Sequence, residues 1–273
     1  SISVKRANAV VLGIGHATLT AVDGAVPLTV GDVPGVIIAG VTIDAGTVES
    51  PILLQIGKKP GQNTKSDPSN PTTLSDVYFR VGGPHIGKAD VALEVNSDNV
   101  LIDHTWVWRA DHGVEGFSGD TERWNTNIGR NGVVVNGDSV TATGLFVEHF
   151  QQYNTIWNGQ DGTTILYQNE LPYDPPTQAD WMHDGIEGWA AYKVGDQVTT
   201  HNLFGGGVYV FNRNNPSIHT ENGFEVPVTP GVPLHHIMTV NLSAGTIDHV
   251  VNGVGGPADT SNIGAPVFVV DYP

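Results

Sequence analysis

Residues 137–141 read Gly-Asp-Ser-Val-Thr, and residues 160–165 read Gln-Asp-Gly-Thr-Thr-Ile. Both segments begin with a polar or small residue and an aspartate, and both continue into a β-branched run. Related segments occur at residues 31–38, 97–102 and 195–199, so the aspartates stand at positions 32, 98, 138, 161 and 196. The shortest spacing, from Asp138 to Asp161, is about the length of one coil of a parallel β-helix. The longer spacings fit one or more coils that carry inserted loops.

The rest of the chain is typical of an all-β protein. Short β-branched runs recur between Gly, Asn, Asp and Pro, for example at residues 36–38, 77–79 and 133–135. Such strands bury their apolar sides when coils stack about 4.8 Å apart. We therefore predict a right-handed, single-stranded parallel β-helix of the pectin-lyase type, as one domain over residues 1–273. A β-sandwich is the alternative, since Asn131-Gly132 and Asn136-Gly137 also suit hairpin turns.

Composition narrows the partners and the chemistry. Twelve Lys and Arg against 28 Asp and Glu give a net charge of −16, which repels phosphates, anionic lipids and anionic polysaccharides. The chain has no cysteine, so thiolate nucleophiles and zinc–thiolate sites are excluded. No apolar run is long enough to cross a bilayer. We expect no nucleic-acid or membrane partner, no cofactor and no catalytic metal, and the acidic, lysine-poor composition favours a secreted protein.

Two glutamates occupy equivalent places in the repeated pattern. Glu148 lies ten residues after Asp138 and Glu170 lies nine residues after Asp161, so the glutamates are 22 residues, or one coil, apart. Equivalent positions of neighbouring coils stack on one face, and like charge raises the pKa of one carboxyl of such a pair. That is how a general acid is made near neutral pH, although a solvated surface pair is the alternative.

The surroundings of the glutamate pair suit a sugar ligand. The glycines at 205–207 fall at the equivalent place on the next coil and predict a hollow beside the pair, and the polar segments 58–72 and 115–130 are predicted to be loops that wall a cleft. Amides and hydroxyls bind sugar hydroxyls, and aromatic rings stack on pyranose faces. The candidate substrate-binding residues are Trp108, His149, Gln152, Gln168, Tyr173, Trp181 and Tyr192.

Other aromatic and histidine residues receive structural interpretations. Trp106 and Trp108 are expected to place one ring in the core and one outside. The histidines that stand near aspartates or in pairs are expected to form hydrogen bonds at coil corners rather than to bind metal; they are His104, His112, His235 and His236.

Two stretches resemble glycoside hydrolase family 55, whose members are β-1,3-glucanases built from two parallel β-helices. Residues 145–153 read Leu-Phe-Val-Glu-His-Phe-Gln-Gln-Tyr, and residues 168–173 read Gln-Asn-Glu-Leu-Pro-Tyr. Residues 77–83 and 44–46 are similar to the second β-helix of that family, and the resemblance spans the chain. It is closer to bacterial members, because fungal members tend to carry Thr-Glu-Thr-Pro-Tyr-Tyr where residues 169–174 read Asn-Glu-Leu-Pro-Tyr-Asp.

The resemblance implies a secreted, exo-acting enzyme that hydrolyses a β-1,3-glucan such as laminarin with inversion. It implies that Glu170 is the general acid, that Glu148 supports the attacking water or the transition-state charge, and that Tyr173 lines a sugar subsite. It also implies that this chain is the C-terminal of two β-helices. The N-terminal β-helix would then be a separate chain of the same precursor, or lost.

Three other functions remain open on the sequence. The alternatives are a non-catalytic glycan-binding β-helix, an inactive half of a two-chain enzyme, and a polysaccharide lyase. A lyase needs cations to neutralise a uronate, and the 12 Lys and Arg disfavour it. The stacking distance of about 4.8 Å is shorter than the roughly 6.5–9.5 Å between the carboxyls of inverting glycosidases. This difference indicates that another group helps to activate the water.

Overall fold

The computed structural model describes residues 1–60, 65–113 and 123–273. Within these ranges the chain is almost entirely β-strand and turn, with one short α-helix, α1 (Arg123–Thr126), and a 3-10 turn at Gln178–Asp180. None of the described helical segments has the length or hydropathy needed to span a bilayer. The predicted loop 58–72 has no strand in its described part, whereas the predicted loop 115–130 contains α1 and the start of a strand, and residues 61–64 and 114–122 lie outside the described residues.

The strands form two large sheets. The first sheet contains, in spatial order, β1 (Ile2–Val4), β4 (Leu28–Val30), β6 (Ser50–Ile56), β8 (Ala89–Val95), β10 (Gly129–Val135), β12 (Thr155–Trp157), β16 (Tyr192–Val194), β18 (His219–Glu225) and β20 (Thr246–Val251). The second contains β2 (Val10–Leu12), β5 (Ile37–Asp44), β7 (Thr73–Val81), β9 (Leu101–Arg109), β11 (Thr141–Glu148), β13 (Gly162–Glu170), β17 (His201–Val210), β19 (Leu234–Asn241) and β21 (Val267–Tyr272). Beside β2, the strand β3 (Thr18–Thr20) also pairs with β5, and β14 (Met182–His183) with β15 (Ile186–Glu187) forms a small hairpin.

The chain passes from one large sheet to the other along most of its length, and each strand pairs in parallel with the strand one coil away. Thr141, for example, pairs with Leu101 on one side and Thr163 on the other, 40 and 22 residues away in the sequence. Among the described strands of the two large sheets, β21 alone pairs antiparallel, with β19. This arrangement confirms an all-β fold of parallel strands and excludes the antiparallel sandwich.

The Asn-Gly pairs stabilise coils instead of hairpins. Asn131-Gly132 lies inside β10, and Asn136-Gly137 forms the corner after it. At this corner the Asn136 amide donates to the Asn96 side-chain oxygen at 2.8 Å, and the Asn158 amide donates to Asn136 at 2.9 Å. The asparagines therefore form a ladder from coil to coil.

Apolar side chains stack in columns between the two sheets. One column in the first sheet runs through residues in register on successive coils, each wholly buried: Leu54, Leu93, Val133, Thr155, Tyr192 and Phe224. Full burial of one Val or Leu contributes about 1.5–3 kcal/mol. No single coil can bury these faces alone, so the stack supplies the core.

A column of left-handed residues crosses the middle of the second sheet. One residue in each long parallel strand has a positive φ of 53–72°: Gly40, Asp76, His104, Gly144, Leu166, Gly205 and His236. Such a bulge interrupts the alternation of side chains between the two faces. The side chains that follow it at even spacing, including Trp106, Trp108 and Glu148, therefore point away from the core.

Candidate active site

Glu148 and Glu170 lie at the ends of neighbouring strands, β11 and β13, of the second sheet. The register that pairs Phe146 with Gln168 leads to them, and the His149 amide donates to the Glu170 carbonyl at 2.8 Å. The predicted separation of one coil on one face is confirmed. The two side chains differ in exposure, since Glu148 is 8% exposed and Glu170 is half-buried.

Glu148 is held in an environment that favours its neutral form. Burial raises the pKa of Glu148 from its ordinary 4.5 to about 7, and the charges of Glu170 and Asp111 act in the same direction. Hydrogen bonds from Trp106, whose indole N–H donates to Oε2 at 2.9 Å, and from Gln168 oppose that rise. The neutral carboxyl is therefore favoured over a wider pH range in Glu148 than in a free glutamate.

Glu170 is oriented by Tyr173, whose hydroxyl donates to Oε2 of the carboxylate. Burial raises the pKa of Tyr173 above its ordinary value, so the hydroxyl keeps its proton and acts as a donor. The Tyr173 ring packs between His149 and Phe211, with centroids 4.5 and 5.0 Å away, and the Arg213 guanidinium lies 5.6 Å from its centroid. The ring is thus fixed on several sides.

His149 supports this ring and does not face solvent. It is 2% exposed, and its Nδ1 lies 3.1 Å from the Leu171 carbonyl oxygen, which can only accept, so Nδ1 carries the proton. Burial lowers the pKa of His149 to about 4, so the imidazole is neutral. The prediction that His149 binds substrate is corrected, because the side chain lies beneath Tyr173.

A network of buried ion pairs stabilises the segments that surround the site. Arg109 donates from both terminal nitrogens to the two carboxylate oxygens of Asp174 at 2.9 Å, and neither side chain is exposed. Arg123, also buried, lies 3.6 Å from Asp174, and Arg109 donates to the His149 carbonyl at 3.2 Å. The network joins β9, α1 and the segment after β13. Sequence reasoning missed it, although Asp174 directly follows the Pro-Tyr of the glutamate motif.

The two tryptophans of β9 lie together on the outer face. Trp106 and Trp108 stack with ring centroids 5.1 Å apart, so the prediction that one ring enters the core is wrong. Residues two apart in a strand lie on the same face. Together with the side chains of the preceding coils they line a hollow of about 290 Å³. Its other lining residues are Thr42, Tyr78, Phe79 and Arg80.

A second hollow lies on the other side of the glutamates, where the glycines at 205–207 leave room. Its volume is about 240 Å³, and a Cβ added at Gly205 would meet nothing within 4 Å. Gln168 lines this hollow and pairs in register with Gly207. The predicted hollow at the glycines is present, and the role of Gln168 in substrate binding stays a prediction. The other side chains around it are Phe146, Leu166, Tyr167, Tyr209, His236 and Met238.

Three other predicted substrate-binding residues lie away from the pair. Trp181 is wholly buried and donates its indole N–H to the Thr220 hydroxyl at 2.9 Å, and Tyr192 is wholly buried in the core. Their residue types favour contact with a sugar, but both side chains are buried and cannot reach a surface site. Gln152 lies beyond β11 in a turn toward the first sheet. Its backbone N–H donates to the Arg130 carbonyl at 2.9 Å.

Three of the histidines predicted to be structural form hydrogen bonds with aspartates, but the predicted position at coil corners is wrong for His104, which lies within β9. The pairs among the predicted residues are His104–Asp76, His112–Asp111 at 2.9 Å and His235–Asp271 at 2.7 Å. His104 and His236 also occupy left-handed positions of the bulge column.

Comparisons with known proteins identify the family of the chain. The model of the LAM55 pectate lyase-like domain matches residues 1–170. An exo-β-1,3-glucanase of Streptomyces sp. (strain SirexAA-E / ActE) is 46% identical over all 273 residues, which cover 44% of that protein. The structure of sacteLam55A from Streptomyces sp. SirexAA-E matches with a TM-score of 0.94 and 46% identity, over 99% of this chain and 48% of that chain. A variant of sacteLam55A in complex with glucose matches with a TM-score of 0.91.

This chain belongs to the LAM55 pectate lyase-like family, which confirms the family resemblance. It spans about half the length of the relatives that it matches.

Proposed function

We propose that the chain is part of a glycoside hydrolase that cleaves β-1,3-glucan. The observation that carries this proposal is the pairing of a buried Glu148, held by the Trp106 indole, with the half-buried Glu170 one coil away. One hollow is lined by Trp108, the register neighbour of Glu148, and the other by Tyr209, the register neighbour of Glu170, so sugar rings have room on the coils that flank the pair. The name of the Streptomyces relative, an exo-β-1,3-glucanase, and the glucose complex of its variant support the choice of substrate and exo action.

In the proposed reaction Glu170 is the general acid. Its proton passes to the glycosidic oxygen as the bond to the anomeric carbon breaks and the leaving sugar keeps the electron pair. A water attacks the anomeric carbon from the opposite face and loses a proton, so the configuration inverts. Glu148, as the carboxylate, stabilises the positive charge that develops on the ring or accepts that proton, directly or through a relay.

The raised pKa of Glu148 favours a second assignment, in which Glu148 is the acid and Glu170 assists the water. Aryl glucosides with a good leaving group separate the two assignments, because they need little protonation. If Glu170 is the acid, Glu170→Gln keeps its rate on a dinitrophenyl β-glucoside and loses it on laminarin. The reverse pattern, with Glu148→Gln spared on the aryl substrate, would exchange the roles.

Three further features belong to this proposal. The coil is right-handed, which parallel crossovers are in about 98% of cases. The protein is secreted, which suits a polymeric substrate and the net charge of −16. The active enzyme includes a second β-helix, on the same precursor or as a separate chain, which the coverage of 44% of the Streptomyces protein supports.

Reducing-sugar release from laminarin tests hydrolysis, and binding of laminarin-derived oligosaccharides tests recognition. We expect Glu170→Gln to lower the rate by at least about 100-fold and to leave binding intact. Equal behaviour of the wild type and Glu170→Gln in both assays would instead indicate a glycan-binding β-helix or an inactive half-enzyme.

A further inference from the structure

Three side chains able to bind a metal converge on the first sheet, the sheet that does not carry the glutamate pair. Glu187 of β15, His219 of β18 and Asp248 of β20 place one ligand atom each within 4.8 Å of one another. The His219 Nδ1 and an Asp248 carboxylate oxygen are 2.9 Å apart. Across residues 1–60, 65–113 and 123–273 no other three metal-binding side chains come together in this way.

The three residues are held by separate parts of the fold. β18 and β20 are neighbouring parallel strands, in which His219 pairs with Thr246, two residues before Asp248. The backbone of His219 is fixed by Gln178, which accepts from its amide at 2.7 Å and donates to its carbonyl at 3.0 Å. Glu187 comes from the β14–β15 hairpin, so the site joins that hairpin to the coil.

The other histidine–aspartate pairs show what is special about this one. His235 and Asp271 are 2.7 Å apart on neighbouring strands, but no third metal-binding side chain joins them in the described structure. The hydrogen bond between imidazole and carboxylate is enough to account for such a pair without a bound ion. The Glu187 carboxylate at the His219 pair adds negative charge, which a cation would neutralise.

We propose that Glu187, His219 and Asp248 bind a divalent transition-metal ion such as Zn²⁺. One imidazole nitrogen, two carboxylate oxygens and a water complete a tetrahedral shell, with metal–ligand distances of about 2.0–2.2 Å. The metal takes the place of the proton on Nδ1, and the imidazole keeps its remaining proton on Nε2. The side chains of His219 and Asp248 are 45% and 31% exposed, so both can rotate to close the shell and an ion can enter from solvent.

Calorimetric titration of the whole protein with ZnCl₂ tests the site. We expect one ion per chain, and affinity at least about tenfold weaker in Glu187→Gln and His219→Gln. His235→Gln is the matched control, because it breaks a two-membered pair, and it should bind zinc as the wild type does. The absence of binding, an unchanged affinity in Glu187→Gln or an equal loss in His235→Gln would overturn the proposal, and so would tighter binding of CaCl₂ than of ZnCl₂.

A second readout asks whether the ion joins the hairpin to the coil. A ligand that binds only the folded state raises the unfolding temperature. Zinc at a concentration near the dissociation constant of the wild type should therefore raise the Tm of the wild type and of His235→Gln clearly more than that of Glu187→Gln. An equal rise in all three proteins would show that zinc acts elsewhere.

Discussion

Trp106 donates its indole N–H to the buried carboxyl of Glu148 across 2.9 Å, from the neighbouring coil of the second sheet. This hydrogen bond stabilises the charged form of a carboxyl that is otherwise desolvated, so it opposes the rise in the pKa of Glu148. The same tryptophan presents its ring to the hollow beside the site. One side chain therefore connects the electrostatics of the pair to the surface on which a sugar would lie.

Removal of this donor should shift the pH dependence of hydrolysis. In Trp106→Phe the pKa of Glu148 rises further, because burial is no longer opposed by the indole hydrogen bond. If Glu148 acts as the carboxylate, the acidic limb of the kcat/KM profile on laminarin moves to higher pH. Trp108→Phe is the control, since it makes the same exchange in the ring that stacks on Trp106 and leaves the Trp106 donor to Glu148 in place. If the acidic limb stays in place in Trp106→Phe, protonation of Glu148 does not determine that limb.

Glu148 should also make stability depend on pH. Its pKa is higher in the folded state, about 7, than its ordinary 4.5, so between these values the folded protein holds more protons than the unfolded chain. The free energy of unfolding then falls as pH rises from 4.5 to about 7, by roughly 3 kcal/mol. Glu148→Gln cannot lose this proton and should lack that component. Denaturant unfolding of both proteins at pH 4.5, 6 and 8 measures it, and parallel curves would refute the prediction.

Tyr173→Phe should slow hydrolysis with little effect on folding. The substitution keeps the ring between His149 and Phe211 and removes the hydroxyl that orients the Glu170 carboxyl. A general acid reacts in its neutral form, and loss of a neutral hydrogen bond costs about 0.5–1.5 kcal/mol, so kcat should fall roughly 2- to 10-fold. Tyr153→Phe is the control. It removes a hydroxyl that donates to Glu225, a residue of the first sheet. Equal rates in the two variants would argue against a positioning role for Tyr173.

The spacing of the repeated motif was enough to predict the central geometry. A separation of 22 residues placed Glu148 and Glu170 on neighbouring coils, and the same repeat placed the glycine hollow on the next one. The direction in which other side chains point was harder to predict. It depends on the bulge column, where one left-handed residue per coil changes the side-chain alternation. The prediction that one of Trp106 and Trp108 enters the core is wrong for a simpler reason, because residues two apart in a strand lie on the same face.

The supporting network was beyond the reach of local patterns. Arg109 and Asp174 are 65 residues apart, and their contact depends on how two coils and a helix meet. A single sequence contains no signal for such a pair. Residue type alone likewise selected Trp181 and Tyr192, which burial in the core removes from any surface site.

Asp174→Asn should destabilise the fold more than any exposed charge change. It leaves the buried guanidinium of Arg109 without its bidentate partner and removes the carboxylate that lies 3.6 Å from Arg123. Breaking a buried pair in this way costs about 3–5 kcal/mol. Asp196→Asn, which removes an 89% exposed partner of Lys193, should cost less than about 1 kcal/mol. Urea unfolding compares the two, and similar midpoints would contradict a structural role for the buried network.

The anomeric configuration of the first sugar released from laminarin tests the central claim most directly. Proton NMR during the first minutes of reaction, with the wild type and Glu170→Gln side by side, reports it before mutarotation mixes the anomers. The paired-glutamate mechanism predicts that the α-anomer appears first and that Glu170→Gln releases almost none. The β-anomer appearing first, or undiminished release by Glu170→Gln, would contradict it.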